Sequence, residues 1–171
     1  MASALKNLSK YDDSTLPEVN EKRFGIVVAE YHTDITHALY EGAYDTLVKH
    51  GVDTDNIFTG QVPGAFELPL GAKLLYGQHK LDAVICLGCV IKGETKHDEY
   101  INTSVANALQ TMSIASSKPF IFGVLTPNTE AQAKARAGGA HGNKGVEAAI
   151  TAIRMVGMKA SLAGDKKSIG F

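Results

Sequence analysis

Apolar residues along this chain fall into short unbroken runs that alternate with stretches repeating every three or four positions. The first run is Phe24–Ala29. It is followed by Ile35, Leu39, Ala43 and Leu47 at helical spacing, a pattern that Gly51 ends. A second run, Ile57–Val62, leads into a helical segment over residues 66–76. The third run covers residues 83–91 and precedes a long helix with Ile101, Val105, Ala108, Leu109 and Met112 on one face. The fourth run is Phe120–Leu125. A short helix over residues 130–137 and a last one carrying Val146, Ala149, Ile150, Ile153 and Gly157 on one stripe complete the pattern.

Runs that are apolar throughout, rather than alternating, belong to strands buried on both faces. Their regular alternation with helices predicts a parallel sheet. The expected fold is therefore α/β: a three-layer sandwich around a four-stranded parallel sheet. Residues 1–20 are polar and irregular except for an extended stretch, Leu16-Pro17-Glu18-Val19. The chain thus divides into an N-terminal arm, 1–20, and one domain, 21–171. A four-stranded sheet leaves two open edges. The extended stretch has no strand partner in its own chain, so it is expected to add to a neighbouring subunit's sheet.

Ligands of such sheets bind beyond the carboxyl ends of the strands. That rule nominates Glu30-Tyr31-His32, Pro63-Gly64-Ala65-Phe66-Glu67, Lys92-Gly93-Glu94-Thr95-Lys96-His97 and Thr126-Pro127-Asn128.

Composition narrows the classes. The chain has 171 residues, 44% hydrophobic and 20% charged, with a net charge of −1. That argues against disorder and gives no electrostatic reason to expect nucleic acid as partner. The longest apolar run is too short to cross a membrane. An N-terminus without an apolar signal core, and only two cysteines, point to a reducing cytoplasm. Those cysteines spell Cys86-x-x-Cys89 within the third run. Positions three apart on a strand face opposite sides, so the pair suits buried thiols better than a metal site.

Four segments carry candidate chemistry. Gly88-Cys89-Val90-Ile91-Lys92-Gly93-Glu94-Thr95 has the frame of a phosphate loop, but Glu94 stands where such a loop needs lysine. Thr95 followed by Asp98 resembles a helix cap, so the amides of residues 93–96 either serve the cap alone or hold an anion. His97, in the first turn of that helix, lies where the dipole disfavours a cation; an imidazole there is a candidate proton shuttle. His37, His50 and His79 fit solvated surface positions better. Gly138-Gly139-Ala140-His141-Gly142-Asn143-Lys144-Gly145, with Arg136 before it, is either a flexible turn with two solvated cations or a second anion-binding element. Tyr31 and Phe66 sit just past strand ends, where an aromatic stacks on a planar ring or caps the core. Lys92 could form a Schiff base, but no neighbour in sequence supports that chemistry.

As a set these segments resemble the 6,7-dimethyl-8-ribityllumazine synthase family of riboflavin biosynthesis. The resemblance runs from Arg23 to Val156. It rests on Pro63-Gly64-Ala65-Phe66-Glu67-Leu68-Pro69, the stretch from Gly88 to His97, Phe122-Gly123-Val124-Leu125-Thr126, and Arg136-Ala137-Gly138 followed by Gly142-Asn143-Lys144-Gly145. It implies a flavodoxin-like fold and a condensation of 5-amino-6-(D-ribitylamino)uracil with 3,4-dihydroxy-2-butanone 4-phosphate. It further implies that Tyr31 stacks on the pyrimidine and that Ala65, Phe66 and Glu67 line the ribityl and ring site. Cys89, Val90 and Ile91 would offer backbone groups to the uracil edge, and Phe122 would pack from an adjacent subunit. Glu94 and Thr95 would bind phosphate through their amides with Arg136 and Lys144, and His97 would carry the proton. Many members have Asn after the stacking aromatic, where this chain has His32. The chemistry needs no metal or redox cofactor, and the implied partners are the small-molecule substrates, phosphate and other copies of the chain. Those copies would form a homopentamer, either free or with twelve pentamers in a sixty-subunit shell; the loop from Arg136 to Lys144 has no insertion, which favours the shell. Two other classes fit the same pattern: a flavodoxin-like module that binds flavin without catalysis, and a protein whose role is shell assembly.

Overall fold

All four apolar runs form strands in the computed structural model, which describes residues 11–164: β1 (Phe24–Ala29), β2 (Ile57–Val62), β3 (Ala83–Cys89) and β4 (Phe120–Leu125). They pair in parallel in the order β2-β1-β3-β4. Every residue of the central pair, β1 and β3, is buried, whereas the edge strand β2 is buried only at Ile57 and then alternates half-buried and exposed positions. The run character of the sequence is thus the signature of the two central strands.

Five helices cover the sheet: α1 (Thr33–Lys49), α2 (Leu68–His79), α3 (His97–Ser116), α4 (Glu130–Arg136) and α5 (Lys144–Gly164). On one face Phe24, Ile26, Ile85 and Leu87 pack with Leu39 and Leu47 of α1 and Ile153 of α5. On the other, Val27, Val84 and Cys86 meet Leu68 and Ala72 of α2 and Val105 and Leu109 of α3. Each such side chain contributes about 1.5–3 kcal/mol by leaving water. This is the three-layer α/β sandwich the alternation predicts. Cys86 and Cys89 lie in opposite cores, as strand geometry requires.

Several local features differ from the sequence pattern. The third strand ends at Cys89, not Ile91, opposite Leu125, the last residue of its neighbour β4. The chain nevertheless stays extended along β4: Val90 donates to the Leu125 carbonyl and Lys92 to that of Pro127, both at 2.9 Å. The segment expected to be helical over 66–76 opens with a single 3-10 turn, Ala65–Glu67, before α2 begins. The glycine-rich stretch is a tight antiparallel hairpin, β5 (Ala137–Gly139) and β6 (Gly142–Asn143), whose Gly138 and Gly142 adopt φ values of 109° and 83°. His50 is not a solvated surface histidine. Its Nε2 lies 3.0 Å from the Tyr11 hydroxyl, and its side chain is only 11% exposed.

Of the N-terminal arm, residues 1–10 lie outside the described part. The remainder packs on its own domain: Val19 is fully buried, Leu16 rests on the α1/α5 core, and Lys49 bonds Asp13 at 2.8 Å. Leu16, Pro17, Glu18 and Val19 join no strand among the described residues. No described helix is long and apolar enough to cross a membrane.

Candidate active site

The strand order places a topological switch point between β1, from which the chain first moves to β2, and β3, on the other side. Open α/β sheets bind ligands in the crevice at such a point. A cavity of about 530 Å³ sits there. Its wall includes Tyr31 and His32 from the end of β1, Ala65, Phe66 and Glu67 from the 3-10 turn, Cys89, Val90 and Ile91 from the end of β3, and His97 from the start of α3. All nine of these residues, each singled out in the sequence, therefore converge on one cavity.

Tyr31 is 70% exposed and Phe66 58%. Neither is buried in the core, and both line the cavity. A Cβ on Gly64 would lie 3.1 Å from Glu67 Oε2 and 3.6 Å from the Tyr31 ring, so the Glu67 carboxylate and the aromatic face share one corner. Burial pushes the Cys89 thiol up to about 11 and the Cys86 thiol higher still. Both are thiols, not thiolates, at neutral pH. The cavity wall also includes Tyr100 and Ile101, which the strand-end rule did not nominate. Tyr100 stands three residues beyond His97 on the same helix face, and that spacing was the signal available for it.

His97 is the first residue of α3, and the capping position belongs to Lys96, which makes no side-chain cap. Thr95 Oγ1 accepts only a long bond, 3.4 Å, from the His97 amide. Among the described residues, no protein acceptor takes the amides of Gly93, Glu94, Thr95 or Lys96. Glu94 and Thr95 are exposed on this turn. Unsatisfied amides at a helix start are the groups that bind an anion.

Arg136, Lys144 and Phe122 lie elsewhere. Arg136 and Lys144 line a separate cavity of about 320 Å³ beyond the end of β4, with Thr126, Asn128, Gln132 and Glu147. Phe122 lines a further one between α3 and α5, and Lys144 and Glu147 border both. None of the three lines the Tyr31 cavity. Lys144 Nζ bonds Glu147 Oε2 at 2.8 Å, whereas Arg136 has no ion pair among the described residues. Sequence reasoning did not single out Glu147, although it follows Lys144 at the i,i+3 spacing of helical ion pairs. Among the described residues there is no cluster of His, Cys, Asp or Glu suited to a metal ion.

The family model for 6,7-dimethyl-8-ribityllumazine synthase matches residues 21–160, which span the whole sheet and every residue of both sites. The chain belongs to the 6,7-dimethyl-8-ribityllumazine synthase family. Similar proteins carrying that family's name include those of Parabacteroides distasonis, 50% identical over 94% of this chain and all of the relative, and Cytophaga hutchinsonii, 52% identical over 91% and 98%. The Porphyromonas gingivalis protein is 48% identical over 93% and 99%. As a member of the lumazine synthase family, the chain is an enzyme of riboflavin biosynthesis.

Proposed function

We propose that the chain condenses 5-amino-6-(D-ribitylamino)uracil with 3,4-dihydroxy-2-butanone 4-phosphate to 6,7-dimethyl-8-ribityllumazine, releasing phosphate and water. The observation that carries this reading is the convergence, in a chain of this family, of Tyr31, Phe66, Glu67 and His97 on the switch-point cavity. The planar pyrimidine stacks on Tyr31, with the ribityl chain along Ala65, Phe66 and Glu67. Backbone groups of Cys89, Val90 and Ile91 face the uracil edge. Amides at residues 93–96, including those of Glu94 and Thr95, take the phosphate at the start of α3.

Holding both substrates in one place removes most of the entropic barrier to imine formation between the uracil amine and the ketone. His97 moves protons during imine formation and phosphate elimination, and Arg136 supports the charge on the departing phosphate. Arg136, Lys144 and Phe122 come together from a neighbouring copy, a reading supported by their absence from the Tyr31 cavity. The assembly is a homopentamer, twelve of which build a sixty-subunit shell, working in the cytoplasm. The arm adds as a strand to the neighbour's sheet, which has open edges at β2 and β4. Removing residues 1–20 loosens the ring and lowers activity together. A truncated chain that sediments as a fully active monomer overturns both the strand addition and the shared site.

The test of the reaction is direct. The purified chain, given both substrates, generates the absorbance of the lumazine product faster than the uncatalysed mixture does. Tight flavin binding with no product formation overturns the reading in favour of a binding module.

A further inference from the structure

We infer that Asn143 is a positioning residue for the phosphate side of the reaction, clamping the hairpin between Arg136 and Lys144 to the middle of α1. Its Nδ2 donates to the Ala38 carbonyl at 2.8 Å, across 105 residues of sequence. Its Oδ1 accepts the Gly145 amide at 2.8 Å. Only one orientation of the side-chain amide gives both bonds a donor and an acceptor.

Two glycines make room for the clamp. A Cβ on Gly42 of α1 would lie 2.6–2.7 Å from the Asn143 amide atoms, and one on Gly145 would strike the Leu39 carbonyl oxygen. Helix α1 and the first turn of α5, just past the hairpin, therefore meet backbone to backbone, with Asn143 as the polar tie that joins the hairpin to α1. Its place in the chain gives that tie a purpose. Asn143 pairs with Ala137, the residue after Arg136, and immediately precedes Lys144. Fixing this one residue fixes the roots of both cations. The helix it grips begins two residues after Tyr31, so the same rigid element sets the ring-stacking corner at one end and the cation hairpin at its middle.

The inference rests on the proposed reading that Arg136 and Lys144 hold the phosphate, and two variants approach it from opposite sides. Asn143→Asp keeps Oδ1 but sets an acceptor against the Ala38 carbonyl. Gly42→Ala displaces the amide from the helix side, while alanine is itself the better helix former, so α1 is retained. In steady-state assays of the full-length protein, both variants raise KM for the butanone phosphate by about fivefold or more, the equivalent of one ordinary hydrogen bond. KM for the ribitylaminouracil stays at the wild-type value. Equal losses for both substrates, or faster hydrogen exchange at residues 137–144 with both KM values unchanged, overturn the clamp as a positioning device. A wild-type chain that makes no lumazine overturns the functional reading and the inference together. A wild type that turns over, beside Gly42→Ala with unaltered KM values, overturns the inference alone.

Discussion

His97 holds its place because the chain turns from an extended stretch along β4 into α3, and the turn leaves the ring on the cavity wall beside Tyr100. Replacing it with alanine removes the proposed proton carrier and no buried packing, since the residue is exposed. His97→Ala should fold normally, bind both substrates and lose about 10²–10⁴-fold in kcat. Unchanged turnover at saturating substrates removes it from the mechanism. Cys89 makes the opposite case, a polar atom in the same wall without reactivity. Its pKa rises from the usual 9.0 to about 11, so the stabilising neutral thiol is fully present below pH 9 and is lost as pH climbs through 11. Iodoacetamide at pH 8 should therefore label neither cysteine until the protein is unfolded, as mass spectrometry can read. Rapid labelling of Cys89 that substrate blocks contradicts this. At this scale the sequence was informative wherever a residue stood just past a strand, as Tyr31, Phe66 and His97 do. It was silent on Asn143 as a clamp, because its partner on α1 lies 105 residues away and only the packed fold brings them together.

Elements were legible in proportion to how much their own pattern decides them. All four strands and the five helices appear where apolar runs and helical spacing put them. Boundaries that depend on a neighbour were not: β3 stops opposite Leu125, the last residue of β4, and the β5–β6 hairpin is tied to α1 by Asn143 across 105 residues. Asp82, just before β3, ties three strands at the end of the sheet remote from the cavity. Its amide donates to the Arg23 carbonyl at 2.7 Å, its Oδ2 accepts the Arg23 amide at 3.1 Å, and Oδ1 takes Lys118 Nζ at 2.8 Å. Burial alone raises this carboxyl, but the Lys118 bond and the Arg23 amide outweigh it and hold it below the usual range. A lowered folded pKa means the contribution is complete at neutral pH and is lost as pH falls through the folded value. Asp82→Asn should cost about 1–3 kcal/mol in urea unfolding at pH 7. The penalty should shrink below about pH 4, where the wild-type carboxylate also begins to be protonated. A penalty independent of pH shows that the charge contributes nothing.

At the scale of the whole molecule, the described chain has its chemistry in two places. Tyr31, Phe66 and His97 occupy the switch point, while Arg136, Lys144 and Phe122 border cavities at and beyond the outer strand β4. All of these residues were nominated from the sequence, and the resemblance set Phe122 apart, but the separation of Arg136 and Lys144 was not legible, because it depends on β4 lying at the edge of the sheet. A closed ring resolves it if the β4 side of one copy completes the switch-point cavity of the next. That arrangement makes a sharp prediction for mixtures. His97→Ala and Arg136→Ala chains, each nearly inactive as a pure assembly, should regain activity when unfolded together and reassembled. A site is whole when a chain with intact His97 sits beside one with intact Arg136. Random incorporation of equal amounts makes about a quarter of the interfaces whole. The recovered rate should therefore approach a quarter of wild type and fall away as either variant is made dominant. Separately assembled variants mixed afterwards are the control, and they should show less gain than the co-assembled mixture. A co-assembled mixture no more active than the average of its parents would place both residues in one chain's site, and the ring would then have no part in the chemistry.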